Sequence, residues 1–302
     1  MKKTSDLALR GIVPPLMTPL LESQELDENR LAALIRHVVD GGVHGLFPMG
    51  SAGEGTNVSR RVWARAHTVC LREADGEVPV YCGAIAPSTP QTIEQVKELE
   101  QLGAQYAVIT PHFYMDTADQ GEVLRHVEAI ARQTEARLII YNIPALTQVN
   151  IQPQTVLELS RMEAVVGYKD TCGNWNQHFQ TLTLLEGSGL GIWSGGEELC
   201  GASLLFGAHG NIAGLANLFP GVFVGLYEAA LRGDVAEVKA RQQTINEMKR
   251  INQAGKSWLS GMKYAMARLG LGSETLSTPI TPLTPEEKRE VDALVEKFGM
   301  YA

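Results

Sequence analysis

Residues 136–171 read ARLIIYNIPALTQVNIQPQTVLELSRMEAVVGYKDT, and this stretch decides the fold. Two apolar runs of strand length, Arg137–Ile143 and Val165–Lys169, flank a helix-like segment at Pro153–Ser160. The runs are apolar throughout instead of alternating, which suits a parallel sheet covered on both faces. A strand, a helix and a second parallel strand make one β/α repeat.

The same alternation extends outward in both directions. Further strands are expected at Gly11–Thr18, Val43–Met49, Val78–Ile85, Tyr106–Thr110, Gly189–Ser194 and Gly210–Gly214. Helices are expected at Asp27–Asp40, Ser59–Glu73, Thr89–Leu102 and Ala118–Thr134. Asp27 reads as an N-cap, with Leu31, Leu34, Ile35 and Val38 recurring at helical spacing behind it. Thr92, Val96 and Leu99 form a similar stripe, closed by Gly103. Alternation of this kind gives a doubly wound sheet or a barrel, and eight strand candidates favour the barrel. No GxGxxG follows the first strand and no GxxxxGK[ST] occurs, so nucleotide-binding folds lose their usual support. After Phe219 the pattern is helical: Val222–Arg232, Val235–Gln253 and Ser257–Leu269, a proline-rich linker at Thr278–Pro285, then a last helix capped by Thr284. The expectation is an α/β chain, a (β/α)8 TIM barrel over residues 1–232 and a three-helix appendage over 233–302.

The chain has 302 residues, 44% hydrophobic and 20% charged, which is enough for such a barrel with an addition. A net charge of −8 without a basic stretch argues against nucleic acid and anionic membranes as partners. Cys70, Cys82, Cys172 and Cys200 show no CxxC pairing, so free thiols in a reducing cytosol are expected, with no metal site. The first ten residues, MKKTSDLALR, carry no apolar core of a secretory signal, and no apolar run is long enough to span a membrane. A soluble, cytoplasmic protein is expected.

In a barrel the chemistry sits at the C-terminal ends of the strands. Lys169 closes the run Val165–Lys169 and is the sole lysine between Lys97 and Lys239. Desolvation at a strand end would lower its pKa and free the amine as a nucleophile toward a carbonyl. The plain alternative is a lysine that extends to water. Tyr141, one strand earlier, could move protons beside it, or could be a core tyrosine with a satisfied hydroxyl. Gly50-Ser51-Ala52-Gly53-Glu54 could hold a carboxylate through backbone N–H groups and the Ser51 hydroxyl, or be a tight turn only. Ser194-Gly195-Gly196-Glu197-Glu198 could line the pocket through Gly195 and Glu197, or supply acids to the first turn of the next helix.

Together these segments resemble the dihydrodipicolinate synthase / N-acetylneuraminate lyase superfamily of class I, pyruvate-dependent aldolases. The likeness rests on GSAGE at 50–54, ITPHFY at 109–114, IYNIPALT at 140–147 and GYKDT at 167–171. The resemblance implies a homotetramer of barrels with Schiff-base chemistry and no metal or organic cofactor. It gives Lys169 the Schiff-base role, Tyr141 the proton shuttle, Ser51 the contact to the pyruvate carboxylate, and Thr171 a place in the pocket wall. Departures bear on the substrate. Ala52 stands where a second hydroxyl residue is usual, and Phe113 where the synthases have a relay tyrosine, unless Tyr114 substitutes. Leu146 replaces an arginine that clamps a second carboxylate, and in the last strand, where Ile212 is a candidate substrate contact, Gly214 stands where sialic-acid lyases place a serine that contacts the sugar chain. The chain therefore looks closer to the sugar-acid aldolases than to dihydrodipicolinate synthase. The expected reaction is reversible cleavage of a 4-hydroxy-2-oxo acid into pyruvate and an aldehyde. A dehydratase using the same imine, the synthase itself, and a non-catalytic barrel that binds a 2-oxo acid are the alternatives.

Overall fold

A computed structural model describes residues 9–115 and 119–302. The expectations placed on the first eight residues, and the start of a helix at Ala118, lie outside the described residues. Seven parallel strands form one sheet: β1 Gly11–Ile12, β2 Tyr81–Gly83, β3 Tyr106–Ile109, β4 Arg137–Asn142, β5 Val165–Asp170, β6 Gly191–Ser194 and β7 Gly210–Asn211. Their order, β1-β7-β6-β5-β4-β3-β2, leaves β1 and β2 at the edges.

The expected strand Val43–Met49 is an extended segment that bridges those two edges. On the β1 side, the N–H of Phe47 donates to Pro14 O at 3.0 Å and that of Leu16 to Phe47 O at 2.8 Å. On the β2 side, Leu46 N–H donates to Pro79 O at 2.9 Å and Tyr81 N–H to Leu46 O at 2.8 Å. The pairing consists of isolated bridges instead of a continuous ladder. Proline explains this: Pro14, Pro15, Pro48 and Pro79 carry no N–H, so the rungs they would supply are missing. The same prolines shorten β1 well below the expected Gly11–Thr18.

Side chains alternate across each strand, and the result is two buried clusters. One includes Val13, Phe47, Tyr81, Val108, Tyr141 and Trp193, contributed by inward positions of successive strands. Added β-carbons at Gly167 and Gly191 would meet the Trp193 ring at 2.8 and 2.9 Å, so both glycines make room for this indole. The other cluster lies between strands and helices and runs on into Leu259, Met262, Met266, Val291 and Phe298. Strands and C-terminal helices thus share one apolar layer.

Local signals fixed several helix ends. Asp27 accepts from Arg30 N at 3.1 Å and opens helix Glu28–Asp40, whose Leu31, Leu34, Ile35 and Val38 are buried. Gly103, just past helix Thr89–Gln101, has φ +91°, a conformation that suits a residue without a β-carbon. Thr284 and Glu287 form a reciprocal capping box at the start of helix Pro285–Phe298. The segment expected as one helix over Val235–Gln253 divides into Val235–Met248 and Arg250–Gln253. Among the described residues no helix is long and apolar enough to cross a membrane.

Candidate active site

β4 and β5 run side by side, and Tyr141 pairs in register with Lys169. Both side chains are buried, Lys169 at 4% exposure and Tyr141 at 2%. The Lys169 Nζ lies 3.8 Å from the centre of the Tyr141 ring and 5.0 Å from that of Phe47. Among the described residues no carboxylate is paired with this amine. Burial pushes the Lys169 pKa below the ordinary lysine value, and the Tyr141 phenol opposes that push. The amine is therefore easier to deprotonate than a lysine in water. The sequence alternative, a lysine extending to solvent, does not hold.

The end of β6 closes on the same amine. A β-carbon on Gly195 would meet Thr171 Oγ1 at 2.0 Å and Lys169 Cε at 3.1 Å, so only glycine permits the approach. Gly195 N–H donates to Asp170 O at 2.8 Å, and Thr171 N–H to Asn142 O at 2.9 Å. The Thr171 hydroxyl has no hydrogen-bond partner among the described residues. Lys169, Tyr141, Thr171 and Gly195 form one constellation.

A polar network lies against the opposite side of β4 and β5. Asp170 Oδ1 accepts from Asn142 Nδ2 at 3.1 Å, while Asp170 Oδ2 meets His178 Nδ1 at 3.0 Å. The other ring nitrogen of His178 meets Ser203 Oγ at 2.9 Å. Asn142 also donates to Asn150 Oδ1 at 3.0 Å, and Asn150 donates to Gln177 Oε1 at 2.8 Å. Asn142 and Asp170 directly follow Tyr141 and Lys169, so the network ties the two strand ends to helices Trp175–Leu184 and Cys200–Leu205. Buried polar groups joined in this way hold a unique backbone arrangement.

A cavity of about 470 Å³ opens over the strand ends, with Ser51, Phe113, Ile143, Leu146, Trp258 and Ile280 in its wall. Lys169 and Tyr141 are not in that wall. Ile143 follows Tyr141 by two residues and shares its buried cluster, so the two side chains lie on the same inner face. Of the expected site residues, Ser51 and Phe113 line the cavity. Tyr114 is 92% exposed, with φ +80°, and is not part of the wall that Phe113 joins.

Three of the expected contacts, Ala52, Glu197 and Ile212, are not in the cavity wall. Ala52 is 3% exposed and packs in the outer apolar layer. Glu197 is buried and committed within the protein: Oε1 accepts from Leu215 N at 2.7 Å and Oε2 from Asn252 Nδ2 at 2.8 Å. Burial raises its pKa, an effect those two donors oppose. Glu197 fastens the chain after β7 to the C-terminal helices. Ile212, at 1% exposure, belongs to the inner cluster with Tyr141 and Trp193.

Local patterns missed one link altogether. Glu54, the last residue of the glycine-rich turn, adopts φ +58° and is buried. Its Oε1 lies 2.5 Å from Lys263 Nζ, and its Oε2 accepts from Ser277 N at 2.7 Å. Lys263 also donates to Thr275 O at 2.6 Å. Asn57 Nδ2 donates to Ser277 Oγ at 2.9 Å, and the Gln24 side chain bonds Leu276 O and Thr278 N. The segment after helix Trp258–Arg268 is thereby strapped across the turn, which brings Trp258 and Ile280 to the cavity.

Comparison with known proteins agrees with this geometry. The model of the Dihydrodipicolinate synthetase family matches residues 8–298. A 4-hydroxy-tetrahydrodipicolinate synthase of Phenylobacterium zucineum is 32% identical over 296 residues, 98% of this chain and 99% of that one. A DapA-like lyase of Halobacterium salinarum is 31% identical, covering 97% of this chain and 95% of its own. The solved structure of dihydrodipicolinate synthase from Bacteroides thetaiotaomicron superposes with a TM-score of 0.91 at 31% identity, over 96% of this chain and 98% of that one. YagE, a prophage protein from E. coli K12 of the dihydrodipicolinic acid synthase family solved in complex with pyruvate, gives 0.91 at 26% identity, over 96% and 98%.

Proposed function

This chain belongs to the dihydrodipicolinate synthetase family, and from that premise we propose that it is a pyruvate-dependent lyase working through a Schiff base on Lys169. The observation that carries the reading is a buried amine with lowered pKa, in register with Tyr141 and without a paired carboxylate among the described residues. An amine so placed exists in the neutral, nucleophilic form more readily than a lysine in water.

The reaction follows from the chemistry of the imine. The neutral amine of Lys169 adds to the C2 carbonyl of a 4-hydroxy-2-oxo acid, and the carbinolamine hydroxyl leaves as water with the proton of the Tyr141 phenol, giving an iminium and a phenolate. The Tyr141 oxygen takes the proton of the C4 hydroxyl as the C3–C4 bond breaks. The electron pair of that bond passes into the iminium, leaving an enamine, and C4 departs as an aldehyde. Protonation at C3 and addition of water release pyruvate and restore the amine. Ser51 takes the role of contact to the pyruvate carboxylate, and Thr171 and Gly195 line the path between Lys169 and the cavity.

In this reading the segment 44–48 is the eighth strand of a (β/α)8 barrel, and residues 233–302 are its helical appendage. Copies would assemble as a homotetramer. An exposed aromatic patch supports assembly: Trp175 and Phe179 stack at 6.1 Å, and Phe206 meets them edge-on at 5.7 and 5.2 Å. Light scattering of purified protein at the mass of one chain would remove that part. The four cysteines, all free, suit a cytoplasmic setting.

A second reading is the synthase activity for which the Phenylobacterium relative is named. Leu146 stands against it, because an aliphatic side chain at that point of the wall offers no clamp for a carboxylate. A dehydratase would share the imine and differ in its products. The test of the common step is borohydride reduction with pyruvate, read by mass spectrometry. Wild-type protein should gain one pyruvyl adduct at Lys169, and Lys169→Ala should gain none. Unlabelled wild-type protein overturns the mechanism.

A further inference from the structure

The wall of the cavity is neutral and mostly apolar. Ile85, Phe113, Ile143, Leu146, Trp258 and Ile280 supply much of it, and no lysine, arginine or histidine contributes among the described residues. Its one charged side chain, Glu54, is consumed by Lys263 and Ser277. The polar wall residues are largely committed as well. Asn57 donates to Ser277, and the Thr147 hydroxyl donates to backbone oxygens of its own turn. The Thr110 hydroxyl is buried in the wall and has no hydrogen-bond partner among the described residues. Ser51, Thr56 and Thr110 carry the uncommitted hydroxyls, and Ser51 belongs to the pyruvate end in the proposed reading.

A substrate entering this space exchanges water for those surfaces. A carboxylate or phosphate would lose its hydration and find no cation, with a buried carboxylate nearby. A polyol would lose several water contacts and recover only part of them, from Thr56, Thr110 and the Asn57 carbonyl oxygen. An apolar body loses nothing polar and covers Phe113, Trp258 and Ile280. Size agrees: a cavity on the order of 150 Å³ holds a benzene ring, and this one, at about 470 Å³, has room for a pyruvyl unit and one ring.

We propose that the aldehyde partner is uncharged and apolar, with a body of single-ring size, aromatic or branched aliphatic. The proposal rests on the Schiff-base reading and names the acceptor that the site would take. Specificity here comes from wall residues of the C-terminal segment, Trp258 and Ile280, as much as from the strand ends.

The experiment measures kcat/KM for condensation of pyruvate with benzaldehyde, isobutyraldehyde, glyceraldehyde and succinic semialdehyde, with borohydride trapping of pyruvate run in parallel. The expected order places the two apolar aldehydes about tenfold or more above glyceraldehyde and about 100-fold or more above the anionic one. Trp258 and Leu146 are 39% and 61% exposed, so their replacement spares the core. Trp258→Ala should lower kcat/KM for benzaldehyde about tenfold with trapping unchanged, and Leu146→Arg should shift the preference toward succinic semialdehyde by a similar factor. Glyceraldehyde or succinic semialdehyde as the best acceptor, with trapping intact, overturns the acceptor class alone. Loss of trapping in wild-type protein overturns the Schiff-base reading instead. A Leu146→Arg protein with unchanged preference shows that the wall does not contact the acceptor, which also overturns the proposal.

Discussion

Two lysines are buried among the described residues, and they are opposites. Lys263 is fully enclosed, but Glu54 and the Thr275 carbonyl meet its charge. Lys169, at 4% exposure, faces two aromatic rings and no paired carboxylate among the described residues. Burial lowers the pKa of both, opposed by Glu54 for one and by Tyr141 for the other. A matched amine joins parts of the fold, whereas an unmatched one is available for chemistry. Burial alone therefore says nothing about role; the partner does.

The sharpest test exchanges each for methionine, which keeps the stem and removes the charge. Lys169→Met should lower kcat by roughly four orders of magnitude or more, measured with saturating substrate. Lys263→Met should cost about 3–5 kcal/mol of stability by denaturant titration, because it strands the Glu54 carboxylate in the interior. Lys263→Met protein as stable as wild type would break the comparison. Tyr141→Phe should reduce kcat by about 100-fold or more while leaving borohydride adducts at Lys169, since only proton transfer is lost. A full-rate Tyr141→Phe enzyme removes the phenol from the mechanism.

The smallest effect has the opposite sign. The folded pKa of Lys169 lies below the value of 10.5 it has unfolded, so below pH 10.5 the unfolded chain binds that proton first. Stability is lost as pH falls below 10.5, and Lys169→Met, which removes the penalty, should gain about 1 kcal/mol near neutrality. For the same reason the rate of borohydride trapping should rise with pH along a limb whose midpoint lies below 10.5. A midpoint at or above 10.5 would mean that the amine is hydrated.

The alternation of strands and helices was legible because each signal is local. Apolar runs such as Leu138–Tyr141, the Asp27 cap and the turn at Gly103 depend on neighbours within a few positions. The placement of Lys169 and Tyr141 at adjoining strand ends was legible for the same reason, each being the next-to-last residue of its own strand. Prolines concealed the pairing of residues 44–48, since a ladder without its N–H groups leaves bridges only. What was not legible depends on distance in the chain. Glu54 and Ser277 are 223 residues apart, and nothing near GSAGE announces a lysine in a C-terminal helix. Glu197 looked like a pocket acid by position, yet Asn252 and the Leu215 N–H had already claimed it. His178 and Ser203 behind Asp170 escaped because helix Trp175–Leu184 carries a weak apolar stripe.

The strap that Glu54 and Lys263 secure has a consequence for descent. In the proposed reading part of the acceptor wall, Trp258 and Ile280, lies on a stretch of polypeptide separate from Lys169 and Tyr141, so mutation can revise that part while selection guards the reacting groups. A lineage could trade its aldehyde by altering Trp258 or Ile280 and keep the imine chemistry intact. Divergence of diet, in such a scaffold, is written in the tail.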